Sequence, residues 1–266
     1  MINLNGLVLE DKEVTGVLCK NRLGLRASAR TVQKYLRRLG WKKRSSKFWQ
    51  YVSIKNRIER MIFAKMYLTS GLNFDNSIFI DESTVQMNIN GPKHWSRREL
   101  GEPRNGLIGR YSHPASVHVL GGISRRGATS LEIFSGRLNG RGFTSLLGDF
   151  LVPFVRRVYP DSHRLHMDNA PSHSSVHTSG FLDLNEIFHF RTPPQSPDIN
   201  PIEMVWNDIK YHIKSTVKPK TRRELINGIL YFWRNKVTVE YCNSKINHLN
   251  RVLQTIIINK GKATGL

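Results

Sequence analysis

Two short apolar runs in this chain each lead into an aspartate: SIFI over 77–80 precedes Asp81, and RLHM over 164–167 precedes Asp168. Runs of this length, bounded by polar and turn residues, read as buried strands. An acid placed directly after such a strand sits at the rim of a sheet, beside the core yet open to water. A third carboxylate, Glu203, lies in SPDINPIEMVW (196–206), where Pro197 and Pro201 bracket a polar turn. Asn200 is a good N-cap there, and Pro201 suits the first helical position. Ile202, Val205, Trp206, Ile209 and Ile213 then recur at helical spacing and form one apolar face. Glu203, Asn207, Lys210 and Lys214 occupy the adjoining face.

Glu203 has two readings. In one it closes a capping box with Asn200, each side chain meeting the other's backbone amide. In the other it joins Asp81 and Asp168 around metal ions. Three carboxylates brought together repel, and they stay ionised only with cations between them. Mg²⁺ (or Mn²⁺) suits such a site, because it takes oxygen ligands, keeps several waters and shares its shell with substrate phosphates. Two ions roughly 3.5–4 Å apart would serve an in-line displacement at phosphorus. Glu82 adjoins Asp81, and neighbours along a strand face opposite ways, so only one of them reaches the site. Asp81, directly after the apolar run, is preferred. Asp198 and Asp208 are weaker candidates, one on a loop and one on a helix flank. Asn169 and His173 could orient water or phosphate, or serve only capping and local hydrogen bonds.

The order of elements predicts the fold. SIFIDES and VQMNI read as a strand pair, followed by a Gly/Pro/Arg-rich loop over 92–111 that holds Trp95, Arg97, Arg98 and Arg104. SVHVLGGIS and TSLEIFSG are further strands, and helices and strands alternate from about Gly142 onward. Helices are expected over about 221–233 and 239–258, the latter burying Ile246, Leu249, Val252, Leu253 and Ile256. This is an α/β arrangement, a ribonuclease-H-like mixed sheet flanked by helices. At the front, a helix from about Asp11 to Cys19 would turn Val14, Val17 and Leu18 inward, and residues 1–10 are too short and irregular for another. After the turn glycine of LGL (23–25), Ser28 caps a second helix with Val32, Tyr35, Leu36 and Leu39 inward. That is the outline of a partial helix-turn-helix. A helix capped by Ser53 runs to about Thr69, with Ile54, Ile58, Met61, Ile62 and Met66 inward and Gly71 after its end. The expected division is 1–45 for the DNA-binding module, 46–74 for a basic linker and connecting helix, and 75–266 for the catalytic domain.

Charge indicates the partner. Lys and Arg outnumber Asp and Glu by 41 to 20, giving a net charge of +21 over 266 residues, and such a field draws polyanions. Double-stranded DNA is the first expectation and an anionic membrane surface the second. No run of 18 apolar residues exists and the N-terminus lacks a signal-peptide pattern, so no membrane partner and an intracellular protein are expected. Two cysteines without a CxxC pattern argue against a disulfide framework or a structural zinc site. The DNA contacts expected on the second helix are Arg30, Gln33, Lys34, Arg37 and Arg38. Lys42, Lys43 and Arg44 continue them into WKKRSSKFWQ (41–50), where basic and aromatic residues interleave.

From about Ser28 onward the chain resembles the Tc1/mariner-type transposases. The resemblance rests on FIDES (79–83), HWSRRELGE (94–102), SVHVLGGISRRG (116–127), HMDNAPSH (166–173) and QSPDINPIEMVW (195–206). The 34 residues between Asp168 and Glu203 match the spacing of the Tc1-like branch. The resemblance implies that Asp81, Asp168 and Glu203 form a DDE triad that holds Mg²⁺ and performs cut-and-paste DNA transposition at TA targets, in the nucleus. It leaves room for a homodimer. Ile80 stands where the family usually has Trp, and Ser172 where it usually has Cys; neither is a metal ligand. Of the family's two N-terminal helix-turn-helix units, only part of the second is expected here. A DNA-binding relic or repressor that no longer cuts is the alternative function, and an RNase-H-type RNA nuclease is a third.

Overall fold

The computed structural model describes residues 3–11, 14–42, 51–87 and 115–265. The chain forms two compact units, Met1–Phe48 and Trp49–Leu266. The expected contacts Lys43 and Arg44, the 92–111 loop and the motif HWSRRELGE lie outside the described residues.

Among the described residues the first unit holds three helices, α1 (Leu4–Glu10), α2 (Gly16–Arg22) and α3 (Ala29–Arg38). The helix over 4–10 corrects the reading of that stretch as irregular: Asn3 caps it by accepting from the Gly6 amide, and Leu7 and Val8 are buried. α2 starts later than expected because Thr15 is its cap. This shift turns Cys19 inward and leaves Val17 and Leu18 exposed. α2 crosses α3 closely at Gly16, where a Cβ would stand 2.9 Å from the Ala29 carbonyl oxygen. Gly24, at φ +60°, makes the turn between them. Ser28 caps α3 as expected, accepting from the Thr31 amide. Val32 is its buried anchor, whereas Tyr35 and Leu39 face outward.

The second unit opens with α4 (Ile54–Thr69), capped by Ser53. Its buried face is not the expected one. Arg60, Phe63, Ala64 and Tyr67 point inward, while Ile54, Ile58 and Ile62 are exposed. The helix carries two apolar stripes, and periodicity alone cannot say which meets the core.

The sheet contains β1 (Ser77–Gln86), β2 (Ser116–Ser124), β3 (Gly127–Ala128), β4 (Glu132–Phe134), β5 (Arg164–Met167) and β6 (His189–Arg191). Its order is β3-β2-β1-β5-β6, with β4 also on β2. SIFIDES and the start of VQMNI are one strand rather than a pair. β2 is long enough to hold it throughout, from Ile78 opposite Ser124 to Gln86 opposite Ser116. β1 pairs antiparallel with β2 and parallel with β5, so the sheet is mixed as expected.

The helices completing the chain are α5 (Gly140–Val158), α6 (Val176–Leu184), α7 (Ile202–His212), α8 (Arg222–Lys236) and α9 (Val239–Ile258). Strand alternation sorts them into two layers. Ile78 and Ile80 of β1 pack with Phe143, Leu147 and Leu151 of α5. Phe79 and Val85, from the opposite face, pack with Trp206 of α7, Trp233 of α8 and Leu249 of α9. All five expected inward positions on α7 and its extension, and all five on α9, are buried. Among the described residues no helix is long and apolar enough to cross a membrane.

Candidate active site

Register brings the two aspartates together. In the parallel β1–β5 pair, Phe79 lies opposite His166. Two residues further on come Asp81 and Asp168, side by side on adjacent parallel strands about 4.8 Å apart across the sheet, just past the last pair that joins β1 to β5. Asp81 does not end its strand, because β1 continues along β2 to Gln86. It lies just past the last residue that β5 pairs. The odd-numbered face that carries Phe79 also carries Asp81, and this is the face covered by α7.

Glu203 reaches the same place from the first turn of α7. The capping box does not form: α7 has no side-chain cap, and a short 3₁₀ turn over Pro197–Ile199 leads into it. Asn200 instead donates through Nδ2 to the carbonyl of Ile80, 3.4 Å away. Only the backbone carbonyl of Asn200 meets the Glu203 amide. The Glu203 carboxylate is thereby released from local duty. Asp81, Asp168 and Glu203 line one cleft of about 430 Å³, together with Asn169, Asn200 and the 192–197 segment.

The electrostatics agree with this grouping. Burial, then the charges of Glu203, Glu82 and Asp168, push the Asp81 carboxyl well above its ordinary range. Glu203 is also raised, first by burial, although Lys210 opposes the shift. The neighbouring Asp81 side chain offsets part of that rise in Glu203. Asp168 is lowered, chiefly by its close contact with His173. Among the described residues no three acidic, His or Cys side chains form a closed metal-ligand cluster. The donor set nevertheless fits a hard divalent cation: all three groups are oxygen donors, and their mutual repulsion is of the kind a cation relieves. An open arrangement suits Mg²⁺, which keeps waters and shares substrate oxygens.

Glu82 points to the other face of β1, as alternation requires, and meets His173. His173 Nε2 lies 3.0 Å from Glu82 Oε1, and its Nδ1 lies 2.6 Å from Asp168 Oδ1. The ring packs on Phe143 with centroids 4.2 Å apart and is only 3% exposed. Burial works against the charged imidazole, but the two carboxylates outweigh it and raise His173 to about 10. Sequence reasoning named His173 without a partner, because a bridge across 91 residues leaves no local pattern. Asn169 is a wall residue, donating to the Thr192 carbonyl at 3.0 Å.

The weaker acids lie elsewhere. Asp198 forms a bidentate pair with Arg60, both bonds 2.7 Å, and Asp208 binds Tyr241 and Lys245. Arg60 is fully buried and also bonds Ser196 Oγ and the carbonyls of Gln195 and Gly261. Gln195 Oε1 in turn accepts from the Ser53 amide and Asn56 Nδ2 at the start of α4. The cleft wall is therefore clasped to α4, a connection without a sequence signature.

In the first unit, Arg30, Gln33, Lys34, Arg37 and Arg38 are all exposed on α3, and Lys42 is exposed just beyond it.

Residues 76–226 match the family model described as DDE superfamily endonuclease. The chain is 26% identical over 241 residues to the Tcb2 transposase of Caenorhabditis briggsae, covering 89% of this chain and 88% of that protein. It is 27% identical over 222 residues to the Tc3 transposase of Caenorhabditis elegans, covering 81% and 66% respectively. In fold it is similar to a pre-cleavage Mos1 transpososome, with a TM-score of 0.83, 16% identity, and coverage of 97% of this chain and 78% of that one. It is likewise similar to the Mos1 mariner paired-end complex with Mg, with a TM-score of 0.79 and 16% identity.

Proposed function

Because the chain belongs to the DDE superfamily of endonucleases, we propose that it is a transposase that cuts DNA at element ends and joins them to target DNA. The observation that carries this reading is the single cleft lined by Asp81, Asp168 and Glu203, where β5 ends beside β1. These three residues are the proposed catalytic carboxylates and the proposed ligands of Mg²⁺ or Mn²⁺, ions present in complexes of the similar Mos1 protein. When bound, such cations would activate the attacking oxygen and neutralise charge on the leaving 3′ oxygen.

The chain's own residues supply the rest. Asn200 ties the start of α7 to the backbone just before Asp81, which fixes the spacing between Asp81 and Glu203. Lys210 and Lys214 continue the exposed face of α7 beyond Glu203 and would hold strand phosphates leading into the cleft. The cleft is open, so a DNA 3′-hydroxyl could take the place of water at the same carboxylates. Cleavage and joining would then use one site, the cut-and-paste scheme, at TA targets and on nuclear DNA as the family resemblance implies. The exposed basic face of α3 is the proposed duplex-binding surface, with Lys42, Lys43 and Arg44 extending it. Two copies acting on two ends would make the working unit a dimer; the similar Mos1 transposase is found in a paired-end complex.

The test is incubation of the protein with Mg²⁺ and duplex DNA bearing the element's inverted repeats. Strand cleavage that EDTA abolishes is expected. Degradation of RNA in an RNA–DNA hybrid, with the duplex left intact, would overturn the reading.

Metal and pH should be coupled. Asp81 has a raised carboxyl in the metal-free fold, so its contribution to stability is complete below the ordinary Asp range and is lost as pH rises through the raised value. A cation takes the proton's place. A fixed Mn²⁺ concentration of about 100 times the Kd at about pH 8 should stabilise by about 2.7 kcal/mol there, and by less at about pH 5, where protons compete for Asp81. Equal shifts at both pH values in thermal melts would contradict the assignment of Asp81.

A further inference from the structure

We propose that Glu82 and His173 are positioning residues, a chain from the opposite face of the sheet that locks one oxygen of Asp168 and leaves the other to the cleft. This rests on the reading of Asp168 as a cation ligand. Both close polar contacts of Asp168 fall on Oδ1: the Ala170 amide donates to it at 3.0 Å, and His173 Nδ1 stands 2.6 Å away as an ion-pair contact. Oδ2 is therefore the atom left to the cleft that Asp168 lines.

The side chain needs such restraint. Asp168 follows the last residue of a four-residue strand, and its side chain is 59% exposed. No packing holds its carboxylate plane, whereas His173 is held on three sides. Phe143 of α5 packs against the ring at a tilt, Glu82 engages Nε2, and the backbone of the turn over 170–174 closes beneath it, with the His173 amide donating to the Ala170 carbonyl. Glu82 sits on a central strand whose register with β2 is continuous on both sides of it. Asp168, just beyond the end of β5, is thus tied to the central strand of the sheet. Outer partners of this kind orient metal-binding carboxylates, and their loss costs about 10- to 100-fold in metal affinity. The same geometry resolves the ambiguity between adjacent acids: Asp81 faces the cleft, and Glu82 acts on it through His173 and Asp168.

The test compares two substitutions of similar size. In His173→Asn the amide nitrogen falls near the place of Nδ1, keeping a donor to Asp168 and losing Glu82. In His173→Gln it falls near Nε2, keeping Glu82 and losing Asp168. Mn²⁺ is titrated into the full chain and free Mn²⁺ followed by electron paramagnetic resonance, with thermal melts alongside. His173→Gln should weaken Mn²⁺ binding by about 10- to 100-fold, while His173→Asn, at matching Tm, loses only the Glu82 anchor and should weaken it measurably less. Glu82→Gln, which keeps the acceptor, should stay within about threefold of wild type. Equal affinity in both His173 variants, whether lowered or not, would overturn the proposal. So would a Glu82→Gln loss as large as that of Asp81→Asn, since Glu82 would then be a ligand itself. Asp168→Asn serves as the control: if it retains wild-type affinity, the underlying assignment of the acids fails, not the positioning chain alone.

Discussion

Replacing Glu203 with Gln is expected to lower metal-dependent DNA cleavage by about a thousandfold or more and to leave the fold intact. The size follows from removing one ligand of a cation that supplies several kcal/mol of transition-state stabilisation, at about 1.4 kcal/mol per tenfold in rate. The intact fold follows from the absence of a capping box. α7 begins without any side-chain cap, so its start loses no bond when the carboxylate becomes an amide. Asp81→Asn should abolish cleavage to the same extent and raise the metal-free Tm, because it removes the charge that Glu203, Glu82 and Asp168 oppose. A protein whose proposed catalytic acids weaken the resting fold has given up stability for activity. Initial rates on duplex DNA, with melts of the same preparations, check both halves. Cleavage that survives either substitution would remove that residue from the site.

Asp198→Ala is expected to cost about 3–5 kcal/mol of stability, the usual loss when one partner of a buried ion pair is removed. Arg60 is fully buried, and Asp198 supplies both of its shortest bonds. Without Asp198 a charge remains inside the fold unbalanced. Asp198 also accepts from the amide and hydroxyl of Thr264, so the same substitution loosens the C-terminal segment. Arg60→Met combined with Asp198→Ala should cost less than the sum of the two single changes, since no unpaired charge is left. Urea midpoints for the four proteins of this cycle measure the difference, and simple additivity would show that the pair is not coupled. Because Arg60 also holds Ser196 and Gln195 of the cleft wall, the single variants should lose cleavage activity at temperatures where they are still folded.

The parts of this molecule legible in its sequence are those where one apolar stripe dominates. α7 and α9 each carry a single face of large aliphatic and aromatic residues, and every expected inward position on them is buried. The two aspartates were legible as acids that follow apolar runs, although only Asp168 ends its strand and Asp81 lies within β1. α4 was read from the wrong side because it carries two stripes. The buried stripe includes an arginine, and its partner Asp198 lies 138 residues away. The continuity of β1 was hidden because Glu82, Ser83 and Thr84 break the apolar run, and only the length of β2 keeps the strand going. α1 was hidden by Gly6 in its first turn, a residue that weakens helical propensity but is held here by the Asn3 cap. Asn200 shows the limit of local patterns. Its sequence context is that of a cap, yet its side chain is spent on Ile80, 120 residues away. The role of Glu82 required knowing which helix covers each face of the sheet.

The most direct measurement is anomalous scattering from crystals of the full chain soaked in Mn²⁺. Manganese peaks are expected inside the cleft, with carboxylate oxygens of Asp81, Asp168 and Glu203 about 2.0–2.3 Å from metal and Glu82 still on His173. Peaks ligated by Glu82 in place of Asp81, or a cleft whose three carboxylates gather no metal, would contradict the account.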